Sequence, residues 1–491
     1  MTAAKTKDMG TGSVSKLLLQ LALPAVVAQV VNLLYNIVDR IYIGHMADVG
    51  AAALTGVGLF TPILMLITAF AMLCGAGGAP RAAIAMGRGD NKTAEKIMAN
   101  CFTLLLILAV VLTAVFYLAA PSLLVLFGAS ANTLPFALDY ARIYVLGSVF
   151  VLIVLGMNPF VTTQGFAAFS MLTTVIGAVC NIILDPIFIF VLNMGVKGAA
   201  TATIISQAVG ALWVLKFLTG KRTKLKLRTK DMPLQGRIIL PCLALGVSTF
   251  VMIATESILS ISFNSSLARY GGDLAVGAMT IITSVSQLLS MPLQGICQGG
   301  QPLMSFNFGA GKTDRVKQAF RLQFGFCVAL AALFWVASML APQVLAGIFT
   351  TDPVLVSYTA WAMRIYMAGI FSCGFQGSCQ QSFVALGQAK ISLFMACLRK
   401  LILLIPLIFI LPHCMPDKVF AVFLAEPVSD IIAAAVTSIA FFTRSTRSSQ
   451  ARRKAIRSRC KSDTVNKCSA SSKIHGLFHQ FHPVSECGRP L

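Results

Sequence analysis

About twelve stretches of this chain are apolar for long enough to cross a bilayer, which takes roughly 20 helical residues each. They fall near 16–38, 50–74, 97–118, 136–160, 168–191, 197–218, 238–263, 273–297, 318–340, 356–382, 392–411 and 419–442. With 57% hydrophobic and only 11% charged residues over 491 positions, the composition excludes a soluble globule. The expected fold class is therefore an all-α polytopic membrane protein. The first stretch is too long for a removable signal peptide and lacks a small-residue cleavage site, so it is expected to stay.

Within this pattern the chain is written twice. Ala22-Leu23-Pro24 opens one copy and Ile239-Leu240-Pro241 the other, and the acids Asp39 and Glu256 follow at the same 217-residue spacing. Further on, Pro80 and Gly87-Arg88-Gly89 recur as Pro302 and Gly309-Ala310-Gly311, and Arg142-Ile143-Tyr144 as Arg364-Ile365-Tyr366, all 222 residues later. Two pseudo-symmetric bundles of six helices follow. Six is even, so both halves enter from the same face and the repeat is parallel, about an axis along the membrane normal. The expected organisation is an N-terminal segment 1–15, a first lobe 16–218, a connector 219–237, a second lobe 238–443 and a basic tail 444–491.

Lys and Arg near helix ends stay on the cytoplasmic side. With both termini inside, the inner segments hold Lys5, Lys7 and Lys16; Arg81, Arg88, Lys92 and Lys96; the basic run from Lys216 to Arg237; Lys312 to Arg321; and Lys390 to Lys400. The outer segments carry single basic residues, Arg40, Arg142, Lys197, Arg269, Arg364 and Lys418. The net charge of +22 thus expresses topology plus a basic tail. Nucleic-acid binding is the other reading of such charge, but no soluble domain remains to carry it. The tail is expected to be disordered and cytoplasmic, and its His475, His479, His482, Cys468 and Cys487 fit no zinc spacing. Thirteen cysteines, mostly dispersed in apolar spans, indicate packing and not a disulfide framework.

An ionisable side chain at mid-membrane costs about 2.5–3.5 kcal/mol on insertion scales, so each one requires a reason. The candidates are Asp39, Asp185, Glu256, Glu426 and Asp430. Asp39, followed by Arg40, could instead cap or pair near an interface. Asn181 precedes Asp185 by one turn and Tyr35 precedes Asp39 by one turn, which puts each pair on one helical face. Asn158, Thr203 and Gln207 supply further oxygens from neighbouring spans. Two carboxylates with amide and hydroxyl oxygens can hold a hard monovalent cation or take up protons. Pro186 after Asp185 frees a carbonyl and permits a bend, or is a kink tolerated by packing. Glu256 could bind a cationic substrate, contribute to coupling, or pair with a hydroxyl and hold the bundle together. Glu426 and Asp430 share a face and are candidates for a substrate-binding or second-lobe role. Met279, Met291, Phe263 and Phe306 could line an adaptable apolar cavity or fill the core. Gly75-Ala76-Gly77-Gly78 lacks the Lys-Ser/Thr of a phosphate loop, and no nucleophile–histidine pair is visible, so an enzyme is not expected.

These residues resemble the MATE family, the multidrug and toxic compound extrusion transporters. The resemblance runs from about 13 to 443. It rests on Asn36-Ile37-Val38-Asp39, Asn181-Ile182-Ile183-Leu184-Asp185-Pro186, Glu256, the Gly87 and Gly309 loops, and Ala425-Glu426-Pro427-Val428-Ser429-Asp430. It implies a V-shaped pair of six-helix lobes in the cell membrane. It also implies export of amphipathic, mostly cationic organic compounds by alternating access, in exchange for H⁺ or Na⁺. The Asp39 and Asp185 pair is similar to the branch with a first-lobe cation site. That similarity implies Asn181 and Thr203 as further H⁺ or Na⁺ ligands, with Tyr35 and Asn158 in support. Some members carry an acid in the tenth span. Here Tyr358 to Ser382 contains none, which argues against a second-lobe ion site, and the tail after Arg444 also lies outside the family pattern. A monomer in contact with membrane lipid, with no cofactor and no metal other than Na⁺, is expected. The alternatives are a lipid-linked precursor or metabolite flippase, which would want basic residues in the central spans, and a passive channel.

Overall fold

The computed structural model describes residues 9–46, 50–441 and 443. Met1–Thr437 group as one compact unit and Ser438–Leu491 as a second, of which residues 438–441 and 443 are described, as helix. Lys5, Lys7 and the tail residues from 444 onward, including the His and Cys positions of the rejected zinc reading, lie outside the described residues.

The helices in chain order are α1 (Val14–Gly44), α2 (Gly50–Gly87), α3 (Asn91–Leu126), α4 (Leu134–Leu146), α5 (Ser148–Thr163), α6 (Ala167–Pro186), α7 (Val196–Thr219) and α8 (Gly236–Gly309). They continue as α9 (Thr313–Leu340), α10 (Pro342–Gly347), α11 (Pro353–Tyr366), α12 (Phe371–Ala385), α13 (Ala389–Cys397), α14 (Ile405–Cys414) and α15 (Lys418–Phe441). Among the described residues nine helices are long and apolar enough to cross a membrane, and the bent pairs α4–α5 and α11–α12 bring the number to eleven. α8, 74 residues long, breaks at Gly272, where φ is 64° and ψ is −163°. Cys242 and Gly246 near its start and Phe306 to Ala310 near its end all press on α2 between Leu73 and Gly87. The chain therefore doubles back near Gly272, and α8 holds two spans. Among the described residues twelve spans result once α8 is divided, in line with the apolar runs.

Local chemistry starts and stops these helices. Asp90 caps α3 by accepting from the Thr93 amide at 2.9 Å, and Asp352 caps α11 by accepting from Val354 at 2.9 Å. The turns after α2 and α8 contain Gly89 at φ 83° and Gly311 at φ 72°, the left-handed conformation that glycine adopts without strain. The repeat is also visible in the bends. α4–α5 bends by 56° at Gly147, and α11–α12 bends by 41° beside Gly369, 222 residues later. Both glycines sit against the sixth span of their own half. A Cβ at Gly147 would lie 2.2 Å from Ile204 Cγ2, and one at Gly369 would lie 2.7 Å from Pro427 Cα.

Each half has its own apolar core. One runs from Ile43 through Phe60, Phe160 and Val214 to Cys242; another runs from Leu259 through Met363 and Phe423 to Ala425. Ile239 and Cys242, the opening turns of α8, belong to the first of these, whereas Ser248 accepts a hydrogen bond from Ser392 of α13 at 2.9 Å.

The halves meet along α1, α2 and α8, with backbones in contact through glycine. A Cβ at Gly299 would lie 2.3 Å from Ala22 Cα, one at Gly295 2.6 Å from Val26 Cα, and one at Gly309 2.1 Å from the Ile84 carbonyl oxygen. Gln29 donates to Gln298 Oε1 at 3.2 Å within this seam. Every one of these contacts lies toward the end that carries the α2–α3 and α8–α9 turns.

The polar segment between the halves is bound to the first. Gln164 Oε1 accepts from the Thr223 hydroxyl and from the Lys224 and Leu225 amides at 2.7, 2.7 and 2.9 Å. Asn100 donates to the Lys96 and Asp231 carbonyls at 3.0 and 3.1 Å and accepts from the Gln235 amide at 2.7 Å. Both side chains are fully buried, so the hydrogen bonds replace water that these amides have lost.

Candidate functional site

Asp39 of α1, Asn181 and Asp185 of α6 and Thr203 of α7 come together, all buried. α6 presents Asn181 and Asp185 one turn apart, and α7 returns antiparallel to bring Thr203 level with them. Asn181 Nδ2 donates to Asp185 Oδ1 at 3.0 Å and to Thr203 Oγ1 at 3.3 Å. Asp39 and Asp185 are near enough for the charge of one to act on the other. Asp39 Oδ1, Asn181 Oδ1 and Asp185 Oδ2 are buried without a hydrogen-bond partner. Unpartnered buried acceptors are costly, and three that converge on one place constitute a donor set for a small cation. A proton or Na⁺ fits that set. Among the described residues no group of three or more His, Cys, Asp or Glu could hold a metal ion.

The supporting residues divide. Tyr35 from α1 and Tyr140 from α4 lie beside the site, near Thr203 and Asp39. Tyr140 stacks on Tyr144 at 5.8 Å, and Phe60 meets both edge-on at 5.5 and 5.2 Å. This aromatic wall beside Asp39 was not expected from sequence, although the one-turn spacing of Tyr140 and Tyr144 was there to be read. Gln207 is half-buried one turn beyond Thr203 on the same face of α7. The Asn158 amide donates to the Ser170 carbonyl at 3.2 Å, which ties α5 to the start of α6, and its Oδ1 is buried without a hydrogen-bond partner. Pro186 does break the regular helix, because Ile187–Val191 continue as π-helical turns.

The second half builds a different cluster. Leu398–Leu404 are π-helical between α13 and α14, which widens the turn that carries Arg399 and Lys400. Arg399 Nε donates to Asp430 Oδ1 at 2.6 Å, and its Nη2 donates to Glu426 Oε1 at 3.2 Å. Cys373 of α12 donates to Asp430 Oδ2 at 3.4 Å, and Ser429 donates to the Arg399 carbonyl at 2.9 Å. Lys400 pairs with Glu256 Oε1 and donates to the Met252 carbonyl at 2.8 Å. Glu256 therefore pairs with a lysine, not with a hydroxyl. Arg399 and Lys400 are corrected too: they are not part of an inner flank with Lys390, but lie ten residues or more beyond the start of α13, inside the span.

Two like bundles of membrane-crossing helices with acids turned inward place the chain in the class of membrane transporters. Its family follows from sequence: the MatE family profile matches residues 24–187 and 249–410, one segment in each half, and the chain belongs to that family. Its members are transporters, not enzymes, and need no cofactor.

The chain is 24% identical over 423 residues to the multidrug export protein MepA of Staphylococcus haemolyticus (strain JCSC1435), covering 86% of this chain and 92% of that protein. It is 25% identical over 399 residues to MepA of Staphylococcus saprophyticus, covering 81% and 87%. A crystal structure of MATE in the bent conformation superposes with a TM-score of 0.85 at 25% identity, over 91% of this chain and 99% of that one. An outward-facing conformation of a multidrug resistance MATE family transporter gives 0.83 at 25% identity, over 90% and 98%.

Proposed function

We propose that the protein is a multidrug exporter of the cell membrane, carrying amphipathic, mostly cationic organic compounds outward in exchange for H⁺ or Na⁺. The observation that carries this reading is the convergence of three unpartnered buried oxygens, on Asp39, Asn181 and Asp185, beside Thr203. When a cation binds there it neutralises two carboxylates that otherwise repel in a low-dielectric site, and so favours closer packing of α1 against α6 and α7. The kinship with MepA, a multidrug export protein, supports export of more than one drug. The lobes, 16–218 and 238–443, move against one another as a monomer in lipid, with both termini cytoplasmic. The basic turns near Arg88 and Lys312 then face inward, the glycine seam closes the cytoplasmic end, and the conformation is open to the outside. Arg399 and Lys400 supply some of the in-span basic charge that a lipid-linked precursor flippase would need, but their pairing with Glu426, Asp430 and Glu256 leaves the export reading ahead.

Dye efflux from proteoliposomes under separately imposed pH and Na⁺ gradients tests the proposal. One gradient drives efflux in the wild type, and Asp39→Asn or Asp185→Asn removes the drive. Efflux that responds to neither gradient, or that persists in both variants, would overturn it.

A further inference from the structure

The two second-lobe cations are held differently. Arg399, 21% exposed, pairs with two acids whose side chains are 12% and 5% exposed, and Cys373 donates to the second oxygen of Asp430, so both carboxylates of this cluster are held inside. Lys400 is itself 7% exposed, yet its partner Glu256 is 59% exposed. A buried lysine thus reaches out to an accessible carboxylate.

That exposure is turned toward the interior. Glu256 follows Cys242 by 14 residues, so at 100° per residue the two lie within about 40° of one another on α8. Cys242 is on the side pressed to α2, where its carbonyl oxygen meets Gly77. Leu240 and Ile258, exposed by 65% and 49%, share the opposite face, about 160° from Glu256, and suit lipid. Met252 and Ser248, which contact Lys400 and α13, lie about 40° and 80° from Glu256 on the side away from Cys242, so Glu256 stands between the face pressed to α2 and the face turned to α13. Glu256 therefore looks into the space between the lobes, beyond the point where the seam ends.

The repeat adds a contrast. Glu256 takes the place of Asp39, and Lys400 takes the place of Ala178, 222 residues earlier. The first-lobe acids thus have unpartnered oxygens and no lysine, whereas the second-lobe acid has a cation of its own.

From this we propose that Lys400 is a tethered competitor for cargo: it occupies Glu256 when the carrier is empty and yields the carboxylate to the positive centre of an organic cation. The proposal rests on the cation-export reading above and deepens it. A lone carboxylate at this depth is costly to carry through the return movement. Lys400 neutralises it without a bound ion, and its second bond, to the Met252 carbonyl, gives the ammonium a partner when cargo displaces it.

Equilibrium binding of tetraphenylphosphonium to purified full-length protein tests this. An occupied site weakens apparent affinity by the fraction left free, so a pair formed nine-tenths of the time weakens binding about tenfold. Lys400→Met should then tighten binding by roughly that factor, and Glu256→Gln should weaken it. The double variant should bind as weakly as Glu256→Gln alone, an epistasis that a merely structural lysine would not produce. Should Lys400→Met fail to give monodisperse protein, Lys400→Gln makes the same comparison. Unchanged or weaker binding in the lysine variants, or unchanged binding in Glu256→Gln, overturns the competitor role. Cation export then still stands on gradient-driven dye efflux. Absence of binding in the wild type and every variant overturns both.

Discussion

Gly299→Ala is the most direct perturbation of the contact between the lobes. The added methyl would sit 2.3 Å from Ala22 Cα, 2.4 Å from Ala22 N and 2.7 Å from Leu21 C, all backbone atoms of α1 that no rotamer change can move. Ordinary contact begins near 3.4 Å, so α1 and α8 must separate by roughly 1.1 Å at this level. Overpacking of this kind costs about 1–3 kcal/mol. The cost falls on the closed seam alone, so the equilibrium between closed and open forms should move about 5- to 150-fold toward opening. Spin labels at the exposed positions Arg88 and Asp314, in a cysteine-free background, report the separation by pulsed electron resonance. The variant should gain a longer-distance population and lose efflux. Gly58→Ala, where nothing lies within 4 Å of the added carbon, provides the control for helix propensity. A distance distribution and efflux rate equal to wild type in Gly299→Ala would refute the reasoning.

Three further outcomes are expected. Asp185→Asn should abolish gradient-driven efflux while leaving membrane insertion and monodispersity intact; unchanged efflux with an unchanged dependence on the coupling ion's concentration would contradict the coupling role. Arg399→Leu strands Glu426 and Asp430 without a cation and should cost about 3–5 kcal/mol, seen as a lowered thermal midpoint that Glu426→Gln with Asp430→Asn largely restores. Gln164→Leu leaves the Lys224 and Leu225 amides and the Thr223 hydroxyl without their shared acceptor. The loss is about 1–3 kcal/mol in the connector, measured as faster tryptic cleavage between Lys221 and Lys230.

Sequence made the twelve spans legible because bilayer thickness sets their length, and it made the acid pair legible because Asn181 and Asp185 lie one turn apart in an apolar stretch. Thr203 was also within reach, since a polar residue in the returning helix has few places to go. Asn158 shows the reach of a polar residue late in the fourth span, whose amide meets the start of the fifth. Arg399 and Lys400 were hidden by their neighbourhood. They follow Lys390 closely enough to look like the end of a basic flank, and only the π-helical widening at Leu398–Leu404 turns them toward Asp430 and Glu256. Gln164 and Asn100 carry no signal, because the connector groups they hold, mostly backbone, lie 59 or more residues along the chain.

The division of α8 between two cores has a mechanical meaning. Ile239 and Cys242 are fixed in the first lobe and Leu259 in the second, with unbroken helix between them. The covalent joint of the two lobes is therefore an elastic beam and not a slack tether, because the polar connector ahead of it moves with the first lobe. If the lobes rock as proposed, they flex this beam, which then stores part of the work of one half-cycle and returns it in the next, and the few turns around Gly246 set how far the lobes part.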